Sequence, residues 1–146
     1  MTNNELNTPR NENSRDGKTT PTAAYVGASW TCLLVGIIVF LIGLYNAEME
    51  LNEKGYYIAV LLLGLFAVVT LQKNVRDKQE GIAVTGIFFS ISWFGTIIAI
   101  LLLIIGLWNA ELLLSEKGFY GISYVLSLFA AVTVQKNIRD IAEAKK

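Results

Sequence analysis

CLLVGIIVFLIGL, residues 32–44, is apolar or glycine at all 13 positions. Thirteen helical residues wrap more than three turns, so a helix here has no polar face to turn toward water. IIAILLLIIGL, residues 97–107, has the same character. A soluble helical bundle needs a polar face on each helix, and these segments have none. The whole chain agrees: 53% of residues are apolar and 16% charged, against about a quarter charged in soluble domains, and mean hydropathy is +0.49.

Four runs lack charge: residues 23–47, 55–71, 81–110 and 118–134, of 25, 17, 30 and 17 residues. About 20 helical residues cross a ~30 Å hydrocarbon core, with about 17 as the lower bound. The first and third runs span easily. The second and fourth span if the bilayer thins locally or if Lys54, Lys73, Lys117 and Lys136 snorkel. The expected fold is all-α: an integral membrane protein of four transmembrane helices arranged as two tandem helical hairpins.

Lysine and arginine set the orientation. The segment before the first span carries Arg10, Arg15 and Lys18, the first connection Lys54, and the middle connection Lys73, Arg76 and Lys78. The third connection carries Lys117, and the end of the chain Lys136, Arg139, Lys145 and Lys146. The count of three, one, three, one and four places both termini and the middle connection in the cytoplasm and the two short turns outside. Tyr45, Tyr56, Tyr57, Trp108, Phe119 and Tyr120 flank those turns at headgroup height. Residues 1–22 are polar, with Pro9, Gly17 and Pro21, and are expected to form a disordered cytoplasmic tail.

The spans repeat. Gly43 to Asp77 aligns without gaps on Gly106 to Asp140, a period of 63, with 21 of 35 positions identical. The first copy reads GLYNAEMELNEKGYY and later LFAVVTLQKNVRD; the second reads GLWNAELLLSEKGFY and later LFAAVTVQKNIRD. Each copy holds two spans, so both enter from the same side and the repeat is parallel rather than inverted. The expected organisation is a tail at 1–22, repeats at 23–80 and 81–140, and a cytoplasmic tail at 141–146.

NAE…EKG followed by QKN-RD, twice, resembles the YiaA/YiaB proteins, small bacterial inner-membrane proteins built from a two-helix domain. The resemblance covers about residues 23–140. It implies an inner-membrane location and a helical-hairpin fold, and it brings no activity with it.

Three sets of residues recur in both copies. Ser29, Gly36 and Gly43 fall every seven residues on the first span, and Ser92, Ala99 and Gly106 fall likewise on the third. Small residues at that spacing form a packing seam, within the chain or between copies of it. The outer turn holds Asn46, Glu48, Glu53 and Lys54, repeated as Asn109, Glu111, Glu116 and Lys117. Asn52 and Ser115 are expected to cap the returning helix, with Glu53 and Glu116 at its first position. Glu48 and Glu111 are expected in the last turn of the outgoing helix, where the dipole disfavours an anion and Lys54 or Lys117 would compensate. The set is a structural clasp or, alternatively, a cation or partner site of pooled carboxylates.

The inner motif is Gln72, Lys73, Asn74, Arg76 and Asp77, repeated as Gln135, Lys136, Asn137, Arg139 and Asp140. It suits a positive-inside stop signal, with Lys73 and Asp77 paired at i,i+4. Anionic lipid or a cytosolic partner is the alternative.

No histidine is present and the one cysteine, Cys32, is expected to be a small buried apolar residue. No catalytic, metal or cofactor site is expected. The net charge of zero gives no field for nucleic acid. Charged residues and prolines are absent from the spans, which argues against proton-coupled transport. The expected function is a non-enzymatic membrane protein that associates with itself or with a larger inner-membrane complex. The alternative is an oligomeric channel or facilitator for a small solute.

Overall fold

The structure, a computed structural model, describes residues 20–145. The expected tail therefore lies outside the described residues as far as residue 19, as does Lys146. Four helices follow in order: α1 (Ala23–Asn46), α2 (Leu51–Gln79), α3 (Gly86–Asn109) and α4 (Leu114–Ala144). All four are long and apolar enough to cross a membrane. Thr22 opens α1 and Thr85 opens α3, each hydroxyl accepting from the backbone N–H three residues on. α2 closes in a Schellman turn, with Ile82 N–H bonded to the Asp77 carbonyl and Gly81 N–H to that of Lys78. Gly81 takes φ +75°, which glycine adopts without strain.

α2 and α4 run to 29 and 31 residues, well past their 17-residue uncharged cores. Their charged motifs are thus the last helical turns, not loops. On α1, Tyr25 and Tyr45 stand 20 residues apart, as do Phe88 and Trp108 on α3. That spacing is about 30 Å, the thickness of a hydrocarbon core. Tyr45 and Trp108 are 83% and 82% exposed, as anchors at a membrane interface should be.

The hairpins are hairpins in sequence only. α1 packs along α4 and α3 along α2, while α2 and α4 meet in the middle; α1 touches α2 only slightly. The repeats have exchanged partners. The connections explain how: residues 47–50 begin and end in extended conformation. Four extended residues reach about 13 Å, beyond the 8–10 Å between neighbouring helix axes.

The core lies toward the short connections, here called the turn end. It comprises Phe40 and Leu44 of α1, Tyr57, Val60 and Leu61 of α2, Leu103 and Leu107 of α3, and Tyr120, Tyr124 and Leu128 of α4. Tyr57 and Tyr120, equivalent in the repeat, stack across the middle with centroids 6.2 Å apart and planes inclined by 16°. Tyr124 donates to the Val60 carbonyl at 3.3 Å and lies directly against Gly64. A larger residue at 64 would collide with that ring.

The seam is internal to the chain. A Cβ on Gly36 would fall 2.6 Å from Ser127 Oγ and 3.0 Å from its backbone nitrogen, so α1 and α4 are in near backbone contact there. A Cβ on Gly43 would meet the Phe119 ring at 2.6 Å, and one on Gly106 the Tyr56 ring at 2.7 Å. Ser29, Ala99 and Ser92 are buried on the same stripes. Cys32 departs from expectation: it is exposed on α1.

Candidate functional site

Polar residues gather at the two ends, and the two gatherings are built differently. At the end bearing the QKN-RD motifs, Asn74 and Asn137 are each 1% exposed. Asn74 Nδ2 donates to Ser92 Oγ at 3.1 Å and Asn137 Nδ2 to Ser29 Oγ at 3.0 Å. Each serine passes its own proton to a carbonyl of its helix, Phe89 for Ser92 and Tyr25 for Ser29. Every link runs between repeats, from the second helix of one to the first helix of the other. This accounts for the asparagine in both copies, which charge alone does not explain.

One turn further on, the arginines and aspartates cross. Arg76 bonds Asp140 at 2.8 Å and Arg139 bonds Asp77 at 2.9 Å, a reciprocal pair joining α2 to α4. Arg76 also holds Glu80 at 2.8 Å and reaches Glu143 at 3.5 Å. Arg139 pairs with Glu80 and, at 3.2 Å, with Glu143. Lys73 and Lys136 complete the lattice on Asp77 and Asp140, so the expected i,i+4 pairs are present. Glu80, beyond the end of α2, has its carboxyl held below the usual range, chiefly by its bond to Arg76 and also by Arg139. Four cations meet four anions. The headgroup or partner alternative thus finds both guanidinium groups turned inward. Gln72 and Gln135 lie between the two lysines and two arginines around a void of about 10 Å³, room for about one water. Gln135 Oε1, beside that void, and Asn137 Oδ1 are buried without a partner among the described residues.

The turn end corrects several expectations. The returning helices begin two residues earlier than Asn52 and Ser115: their N-caps are Glu50 and Leu113. Glu53 and Glu116 therefore sit at the third helical position, where each carboxylate accepts from the cap backbone N–H, at 3.0 and 2.8 Å. Glu48 and Glu111 lie beyond the helices, in the extended connections, so the unfavourable dipole contact does not arise. Lys54 and Lys117 bond the carbonyls of Tyr45 and Trp108, at 3.2 and 3.3 Å, instead of the glutamates. Asn46 and Asn109 do similar service, each donating to the carbonyl four residues back at 2.8 Å. Orphan carbonyls at a helix end attract cations and amides, and here the chain supplies both.

Two clefts open at this end. One, of about 500 Å³, brings Glu48, Glu53 and Glu111 together with Asn52, Asn109, Tyr56 and Tyr57. The other, of about 330 Å³, contains Asn46 and Glu116 with Phe119 and Tyr120. Glu80 and Glu143 each stand three residues past the motif, 63 apart like the rest of the repeat, so the period itself was their signal; each pairs with both arginines. The tyrosines looked like interface anchors, yet Tyr57 and Tyr120 turn inward. Among the described residues no three histidine, cysteine or carboxylate side chains converge to hold a metal ion.

Comparison with known proteins agrees with the double architecture. The yiaA/B two helix domain matches residues 25–77 and again residues 88–140. The chain is 60% identical over 117 residues to "Inner membrane protein YiaA" of Escherichia coli, covering 80% of this chain and 81% of that protein. It is 45% identical over 60 residues to "Uncharacterized membrane protein YubF" of Bacillus subtilis, covering 40% of this chain and 69% of that one. No solved structure matches the chain. With four membrane-length helices arranged as two linked copies of that domain, the chain belongs to the YiaA/YiaB family and is a multi-pass protein of the inner membrane.

Proposed function

We infer that the chain is a non-enzymatic membrane protein that acts by association, with itself or with a larger complex of the same membrane. The observation carrying this reading is the destination of the polar groups. Ser29, Asn74, Ser92 and Asn137 bond one another across the repeats, and Tyr124 bonds the backbone of α2. The Tyr57–Tyr120 stack fills the middle of the bundle at the turn end, and the arginine–aspartate lattice ties the other end. A solute path needs a continuous polar lining, and the described residues of one chain offer none. What stays available is the apolar outer surface and the two polar ends.

Both termini and the α2–α3 connection face the cytoplasm in this reading, on the lysine and arginine counts. A reporter fused after Lys146 or inserted near Gln79 should report cytoplasm, and one at Asn52 or Ser115 the outside; an outside signal at the C-terminus would reverse the orientation. Association is tested by extracting the protein in native-lipid discs and weighing the particle by native mass spectrometry. A particle with more than one copy, or with a second protein in fixed ratio, is the expected result. A lone monomer that also passes small solutes in proteoliposomes would replace association with the facilitator reading.

A further inference from the structure

The two clefts at the turn end come from equivalent residues but differ in charge. The larger gathers Glu48, Glu53 and Glu111, and no lysine or arginine lines it. The lysines of that end are turned away, onto the carbonyls of Tyr45 and Trp108. Glu53 commits one oxygen to the Glu50 N–H. Glu48 and Glu111 form no ion pair among the described residues. The smaller cleft holds Glu116 alone among charged residues. Carboxylates in the larger cleft thus carry negative charge without a counter-charge, beside a low-dielectric bilayer where such charge is poorly screened.

A second observation lies beneath them. Tyr57 is 3% exposed, lines this cleft, and its hydroxyl has no hydrogen-bond partner among the described residues. The hydroxyl points toward Gly106, which also lines the cleft: a Cβ there would stand 3.3 Å from it. The ring is buried but the hydroxyl oxygen is not sealed off, so it can donate or accept in the cleft. Tyr56 is fixed beside it, edge to face at 5.4 Å, with its own hydroxyl donating to the Leu102 carbonyl at 2.6 Å. The exposed, held ring of Tyr56, the unpartnered Tyr57 hydroxyl and uncompensated carboxylates are complementary to an organic cation, attracted by charge and by the Tyr56 ring face. A volume of about 500 Å³ lies in the usual range for small-ligand sites.

We propose that this cleft binds an alkylammonium group, with the cation against Glu48 and Glu111 and its substituents over the exposed Tyr56 ring and beside the Tyr57 hydroxyl. The group has two possible sources, a free amine in solution or the ethanolamine headgroup of a lipid in the adjoining leaflet. The binding does not depend on the association proposed above, and the two can fail separately.

The test uses the full chain in discs of phosphatidylglycerol, a lipid without an amine. Calorimetric titration with ethanolamine and with tetramethylammonium should give saturable binding. Glu48→Gln with Glu111→Gln should weaken it at least tenfold, and Tyr57→Phe should weaken it severalfold. Glu116→Gln, the same change in the smaller cleft, should leave it unaltered. In a second arm, native mass spectrometry after exchange into phosphatidylethanolamine should show retained lipid on the wild type and its loss from the double variant. Binding in the first arm assigns a free amine, and retention in the second without binding in the first assigns the lipid. Absence of both, or binding equal in wild type and double variant, overturns the site. Displacement by equimolar sodium also overturns it, because charge alone would then account for the signal. Glu48 and Glu111 lie in extended connections outside the helices, and thermal unfolding of each variant verifies that the fold is retained.

Discussion

The two ends of the bundle carry motifs of similar length, each present twice, yet they solve different problems. At the QKN-RD end the side chains cross between repeats: asparagine to serine, arginine to aspartate, each link formed twice in equivalent positions. At the turn end the charged side chains bond within one hairpin, from Lys54 back to Tyr45 and from Glu53 back to the Glu50 backbone. There it is tyrosine hydroxyls that cross. The first end ties the halves together. The second caps its own helices and leaves carboxylates over. A duplicated motif is therefore not one kind of evidence: repetition is required by the fold at one end and permitted by it at the other.

The contrast can be broken hardest at the seam that joins both ends. Gly36→Leu must push α1 off Ser127, whose backbone lies within contact of any added Cβ. The expected cost is about 3 kcal/mol or more, or failure to fold, in thermal unfolding of the purified protein. Ile38→Leu, on the exposed face of the same helix, should be neutral, and equal effects would remove the seam.

Next is the arginine–aspartate exchange. Arg76→Gln leaves Asp140 with Lys136 alone across a partly buried interface, and the expected cost is about 1–2 kcal/mol, discounted for interfacial screening. An Arg76–Asp140 double-mutant cycle should show coupling of about 1 kcal/mol. The matching cycle at the turn end, Glu48→Gln with Lys54→Met, should show none, because Lys54 bonds a carbonyl. Comparable coupling in both cycles would erase the distinction between the ends.

Smaller again is Asn137→Leu, which removes the bond to Ser29. Interhelical hydrogen bonds in membranes contribute about 0.6 kcal/mol on average, and Ser29 keeps its bond to Tyr25. A loss of about 0.5–1 kcal/mol in the same unfolding assay is expected. The pH effect should be slightest. The folded-state pKa of Glu80 is lowered, so its contribution is complete above the ordinary glutamate value and disappears as pH falls through the lowered one. Unfolding temperature should therefore hold from pH 7 to about 5 and decline only below about 4, with Glu80→Gln flattening part of that decline. A fall between pH 7 and 5 would point to another group.

Residues 32–44 and 97–107 decided by themselves that the chain is a bundle of membrane helices, because the cost of a polar group in hydrocarbon is settled segment by segment. The repeat of Gly43–Asp77 in Gly106–Asp140 likewise announced two copies, and the seven-residue spacing of Ser29, Gly36 and Gly43 marked a packing face. Which helix meets that face was not legible. Lipid tails are as apolar as leucine, so no hydrophobic preference chooses among partners; shape and a few hydrogen bonds do. Those are set by residues far apart in sequence: Gly36 against Ser127, Ser29 against Asn137, Arg76 against Asp140. The middle of α2 and α4 shows why the copies had to diverge. Val60 and Leu61 stand where the other repeat has Ser123 and Tyr124, and Gly64 where it has Ser127. At the level of Tyr57 and Tyr120 equal rings stack, but at the next level Tyr124 fills the room that Gly64 leaves, so the copies differ there. Sequence alone displayed these as imperfections of the repeat; only the tertiary structure made them its interface.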